Sequence, residues 1–217
     1  MPHPTSGYRN AAGAKIPGTT TIIGRFKDSG GLLHWAFNQG QAAERGEIRS
    51  LYDKRDEAAD TGTLAHALVE AHIKTGALPD ASVSEGARSA FDAYLKWASM
   101  TRLEIVEQET SMVSEVHQFG GTLDAIGRMG GELCMLDWKT SNGVYQDYLV
   151  QLAAYAILWD ETRPTEPLTG GFHLCRFAKE HGDFSHHYWQ NLDEAKEQFI
   201  LFRRAYDLDK RLKKRAA

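Results

Sequence analysis

The segment "GGTLDAIGRMGGELCMLDWKTS", residues 120–141, constrains the fold more than any other stretch of the chain. Two largely apolar runs flank Gly130 and Gly131. A Gly pair suits the two left-handed central positions of a type I′ turn, the tight link between antiparallel strands. Residues equidistant from that pair then face one another, so Asp124 faces Asp137, and Lys139 emerges two residues further along on the same face. Leu136 and Trp138 point to the other face. Two carboxylates opposed beside an apolar core repel each other and lose solvation, so the arrangement demands a cation. A divalent metal with oxygen ligands meets that demand, with the lysine beside it to orient water and offset anionic charge. The same residues admit a second reading, an Asp124–Lys139 salt bridge at an exposed strand end, which a one-residue register slip would favour.

The rest of the chain supplies cover for such a hairpin. Residues 1–18, rich in Pro, Gly and small polar residues, are expected to form an extended or mobile arm. One domain is expected over residues 19–217, with helices to about residue 100, a sheet core over about 101–191 and a C-terminal helix over about 192–215. The helical part divides into "GLLHWAFNQGQAAERG", "SLYDKRDEAADTG", a helix capped at Asp60 or Thr61 and stopped at Gly76, and "SEGARSAFDAYLKWASM". Residues 103–129 alternate loosely as strand, "QDYLVQLAAYAILWDE" is helical, and "GGFHLCRFAKE" and "FSHHYWQ" form a hairpin across "HGD". This order predicts an α/β or α+β fold, a sheet covered by helices.

Composition narrows the chemistry mainly by exclusion. A net charge of −4 is not that of a strongly basic nucleic-acid binder. The terminal "RLKKRAA" suits either a phosphate backbone or a solvated helix end. Cys134 and Cys175 stand alone in strand-like runs, which argues for buried free thiols rather than a disulfide framework or a metal site. No apolar leader or membrane-length run is present, so a cytoplasmic location without membrane association is expected. His181, His186 and His187 sit in and beside the second hairpin turn and are expected to be surface residues.

In order and spacing, "GGTLDAIG", "CMLDWKTS" and "YLVQLAAYA" resemble the PD-(D/E)xK nuclease superfamily, in particular its RecB-like branch of phage-encoded and mitochondrial genome maintenance exonucleases. The resemblance runs over residues 60–190. Asp124 matches the Asp of the G-x-x-D element, Asp137, Trp138 and Lys139 match D-x-K, and Gln151 and Tyr155 match the Q-x-x-x-Y helix. "TGTLAHALVE" supplies the branch's upstream G-x-x-x-H as Gly62 and His66. Leu123 stands where the family name has Pro, and two cysteines replace the four of the iron–sulfur members, so no cluster is expected.

The resemblance implies a restriction-endonuclease-like core, with a central mixed β-sheet flanked by helices and a helical N-terminal extension. It implies that His66, Asp124, Asp137 and the backbone carbonyl of Trp138 hold one or two Mg²⁺ or Mn²⁺ ions, with Lys139 positioning water. Gln151 and Tyr155 would bond a DNA phosphate or support the ligands. Glu109 resembles an acidic position in the preceding strand, although Glu107 has the same parity and Glu70 is a further candidate. Arg176 suits either a phosphate contact or an ordinary strand-edge role, and Trp35 or Tyr52 suit a platform for unstacked bases. The implied function is metal-dependent DNA hydrolysis, as an exonuclease acting on single strands or duplex ends. The alternatives are a structure-specific, resolvase-like endonuclease and a non-catalytic DNA-binding subunit.

Overall fold

The computed structural model describes residues 7–27, 30–47, 53–177 and 184–216. A short sheet of β1 (Tyr8–Arg9) and β2 (Lys15–Ile16) precedes four helices: α1 (Thr19–Phe26), α2 (Gly30–Glu44), α3 (Asp53–Thr75) and α4 (Glu85–Thr101). Then come β3 (Glu104–Ser114), β4 (Phe119–Met129), β5 (Glu132–Thr140), α5 (Gln146–Thr162), β6 (Phe172–Phe177), β7 (Phe184–Trp189) and α6 (Asp193–Ala216). The main sheet has the order β3-β4-β5-β6-β7, antiparallel except where β6 runs parallel to β5 after the α5 crossover.

The Gly130–Gly131 turn forms as the sequence predicts. Both residues have positive φ, +60° and +90°, and the register runs from Met129↔Glu132 to Ala125↔Leu136. Each face of the resulting sheet has its own apolar layer. On one side Ile126, Met135 and Leu174 pack with Leu152, Tyr155 and Trp159 of α5, Ile22 of α1 and Phe199 of α6. On the other, Ala125, Leu136, Trp138 and Cys175 meet Ala65 and Val69 of α3 and Phe91, Tyr94 and Trp97 of α4. Because α5 is overlaid by α1 and α6, it is apolar nearly all round, with eight of its residues buried.

Two expectations are corrected and a third is made finer. Residues 7–18 do not form a mobile arm: β1 and β2 pair with each other, Gly120 N–H bonds Pro17 O at 3.0 Å, and the Tyr8 hydroxyl lies 2.9 Å from that of Thr122. Residues 1–6 lie outside the described residues. No helix starts at Asp60 or Thr61, since α3 runs unbroken through both to Thr75. Its Ala-, Lys- and Glu-containing first half propagates helix well enough to override a local capping signal. The strand-like stretch 103–129 divides into two strands joined by a tight turn at residues 115–118 that has no Gly or Pro. Gln118 takes the left-handed conformation there, φ +54°, and Arg203 Nε donates to its carbonyl.

Close approach explains one glycine. A Cβ at Gly121 would lie 2.7 Å from Tyr155 Cε1 and 2.8 Å from Thr19 Oγ1. Gly121→Ala is therefore expected to cost about 1–3 kcal/mol, measurable by denaturant unfolding, and to displace the Tyr155 ring. Among the described residues no helix is long and apolar enough to cross a membrane.

Candidate metal centre at the fork of β4 and β5

Asp124 stands in a gap in both of its ladders. On one side the register passes from Gln108↔Ala125 to Thr110↔Leu123, and on the other it ends at Ala125↔Leu136. Here β4 turns over: Phe119 and Leu123 belong to the α5-side layer, whereas Ala125 belongs to the α4-side layer. Freed from pairing, Asp124 uses Oδ2 to accept the N–H of Trp138 at 2.9 Å, holding β5 where the strands fork. Asp124 and Asp137 thus approach through a side-chain contact to the neighbouring residue rather than by continuation of the ladder.

Glu109 meets Asp124 from the other strand. Its φ is +52°, a left-handed conformation that costs a non-Gly residue about 1–3 kcal/mol and is characteristic of functional sites. The twist sends the Glu109 carboxylate to within 3.5 Å of His66 Nε2. The same nitrogen is 4.0 Å from Asp124 Oδ1, and one donor atom from each of the three residues lies within 4.8 Å of the others. His66 projects from α3 beside Ala65 and Val69, which anchor that helix in the core. The Glu109 carboxylate holds the His66 imidazolium above its ordinary pKa, against the opposing effect of burial.

Glu107 goes elsewhere, accepting from Thr110 Oγ1 at 3.0 Å and lying 3.7 Å from Arg163. Equal parity could not separate the two glutamates because β3 shifts register between Ile105 and Glu107 and turns over at Glu109. Glu70 pairs with Lys74 on the exposed side of α3. Replacing Glu109 by Gly is expected to leave stability intact, since the left-handed strain disappears. It should weaken Mn²⁺ binding by about 10–100-fold, checked by calorimetric titration beside a melting curve.

Asp137 and Lys139 complete the fork. Asp137 is fully buried, and neither of its carboxylate oxygens has a well-aligned hydrogen bond, although Lys139 Nζ stands 2.5 Å from Oδ2. Burial pushes the Asp137 carboxyl up to about 7; Lys139 opposes this and Asp124 adds to it. Burial lowers the Lys139 pKa, but Asp137 and Asp124 outweigh that effect and the ammonium is held above its usual value. Trp138 points its indole to the opposite layer, with ring centroids 5.6 Å from Tyr94 and 5.9 Å from Trp97.

From α5, Gln151 Nε2 donates to Tyr155 Oη at 2.7 Å. Burial and the nearby Asp124 and Asp137 raise the Tyr155 pKa well above 10, so it stays a neutral phenol with its own proton left to donate. Arg176 faces inward rather than toward a phosphate: Nη1 donates to Ser141 O at 3.0 Å and Nε to Ser185 Oγ at 2.8 Å, clamping the loop after Lys139. Of the histidines expected at the surface, His187 is half-buried, and His181 lies outside the described residues. His186 is exposed, as expected, with its Nε2 2.8 Å from His173 Nδ1 and its ring 5.4 Å from that of Trp97. Trp35 is half-buried on α2 and Tyr52 lies outside the described residues. The aromatic pair beside the fork is instead Tyr145 and Tyr148, which the apolar pattern of α5 did not mark out.

The donor set fits a hard divalent cation. Two carboxylates and an imidazole converge, and a third carboxylate, Asp137, is buried nearby with Lys139 as its ion-pair partner. No curated protein matches the chain. Among solved structures, a candidate exonuclease from Eubacterium rectale is similar with TM-score 0.45 and 11% identity, covering 65% of this chain and 64% of that one. The chain thus spans slightly less than two thirds of that protein's length. The alkaline exonuclease of Laribacter hongkongensis is similar with TM-score 0.34 and 13% identity, over 70% of this chain and 84% of that one. Its complex with dAMP has TM-score 0.35 and 12% identity, over 71% and 85%. The sequence profile of the PD-(D/E)XK nuclease superfamily matches residues 25–216, from α1 to the end of α6 and across every residue of the fork, and the chain belongs to that superfamily.

Proposed function

We propose that this chain is a Mg²⁺- or Mn²⁺-dependent deoxyribonuclease that acts as an exonuclease at DNA ends. The observation that carries this reading is the convergence of His66, Glu109 and Asp124 beside the buried Asp137–Lys139 pair. His66, Glu109, Asp124, Asp137 and the Trp138 carbonyl would hold the metal. A metal held there would acidify bound water and neutralise charge developing on the phosphate. Lys139 orients the attacking water and adds positive charge at the phosphate. Gln151 and Tyr155, four residues apart on one face of α5, donate hydrogen bonds to a phosphate oxygen or to a carboxylate ligand. The imidazole in the set favours Mn²⁺ over Mg²⁺ in affinity.

The test uses end-labelled single-stranded and duplex DNA and closed circles, each with Mg²⁺, Mn²⁺ or chelator, alongside Asp124→Ala. Metal-dependent loss of linear DNA, with circles intact and the variant inactive, is the expected result. Cutting of circles or branched DNA would make the protein an endonuclease. Binding without cleavage under either metal would leave a DNA-binding subunit.

A further inference from the structure

We propose that Tyr145 and Tyr148 form a stacking platform for an unpaired nucleobase next to the scissile phosphate, which makes single-stranded ends the substrate class of this site. The proposal rests on the nuclease reading above. The Tyr148 ring centroid is 5.5 Å from Lys139 Nζ, so the ring borders the group that would face the phosphate. Tyr145, at the N-cap of α5, stands edge-on to it, with centroids 5.5 Å apart and planes at 78°. Tyr145 is 50% exposed, so a large aromatic surface faces solvent beside the fork.

The platform is held rigidly. The loop from Lys139 to Tyr145 is pinned at Ser141, whose N–H bonds Phe177 O at 3.2 Å, whose Oγ bonds Gly143 O at 2.7 Å, and whose carbonyl is held by the buried Arg176. Tyr148 N–H in turn bonds Tyr145 O at 3.0 Å. A cation also flanks the pair, with Lys27 Nζ 2.8 Å from Asp147. A ring fixed in this way takes a base at little entropic cost, and stacking of this kind tolerates any base. A base inside a duplex has both faces covered by its neighbours and cannot offer one to Tyr145 unless it is extruded, whereas an unpaired base offers its face freely.

The experiment compares wild type with Tyr145→Ala and Tyr145→Trp on single-stranded oligonucleotides that are intact or carry an abasic site stepped through the first few nucleotides. Cleavage is read as KM and kcat, and binding in Ca²⁺ is read from 2-aminopurine fluorescence at the same positions. The expected result is a KM about 10-fold or more higher for Tyr145→Ala on intact DNA, with quenching lost. On DNA abasic at the stacked position wild type and Tyr145→Ala should be equal, and Tyr145→Trp should restore both signals on intact DNA. Equal losses on intact and abasic DNA, or quenching unchanged in Tyr145→Ala, would overturn the platform. If wild type cleaves nothing yet its quenching depends on Tyr145, the platform stands and the nuclease reading falls.

Discussion

Lys139→Ala is expected to lower cleavage by about 10³-fold and to destabilise the fold at the same time. The two effects have separate causes. Lys139 Nζ stands 2.5 Å from the Asp137 carboxylate, and Asp137 lies wholly out of water. Removing one partner of a buried pair leaves an uncompensated charge at a cost of about 3–5 kcal/mol, or forces the carboxyl to take up a proton. The loss of stability should therefore be large at pH 8 and small at pH 5, where the carboxyl is protonated in any case. Adding Asp137→Asn to Lys139→Ala removes the unpaired charge and is expected to recover most of the stability while leaving the protein inactive. Denaturant melts at the two pH values, paired with cleavage of labelled DNA, separate these outcomes. Full activity in Lys139→Ala would remove the lysine from the chemistry.

Metal removal should change the pH dependence of stability. In the metal-free protein the Asp137 carboxyl is pushed up to about 7, and His66 is held above its ordinary value. A group with a raised folded-state pKa binds more protons in the folded than in the unfolded state between its two pKa values, so it favours folding at low pH and loses that contribution as pH rises. Both shifts have this sign. Stability in chelator is therefore expected to fall as pH rises from about 4 for Asp137, and from about 6.5 for His66, through each folded-state pKa. Metal binding reverses the trend because the ion takes the place of those protons. At pH 8, Mn²⁺ at one hundred times its dissociation constant should raise Tm by about 5–10 °C. Metal affinity should rise steadily from pH 6 to pH 8, and Asp137→Asn should flatten the pH dependence in chelator. Scanning calorimetry across pH, with and without metal, gives all three readings.

Much of the candidate site was legible in the chain because its residues cluster around a turn. Gly130 and Gly131 fix the turn type through their φ angles, the turn fixes the register as far as Ala125↔Leu136, and the Asp124 side chain then reaches β5 at the Trp138 N–H, between Asp137 and Lys139. Gln151 and Tyr155 follow from the 3.6-residue period of α5, and the structure joins them by a hydrogen bond. The turn at residues 115–118 escaped because its left-handed residue is Gln118, which has no turn signature of its own. The expected arm misled over residues 7–18 because composition alone does not reveal that Tyr8 packs against Gly120.

Local pattern by itself therefore determined the hairpin, the helix faces and the types of donor, since these depend on φ preferences and periodicities within short stretches. Tertiary structure alone decided how the donors meet. Glu109 prevails over Glu107 only because a left-handed kink in β3 re-aims it, and that kink exists because packing elsewhere in the sheet sustains the strain. Asp137 is poised for a cation only because tertiary packing takes it wholly out of water, and burial is a property of layers assembled from distant parts of the chain.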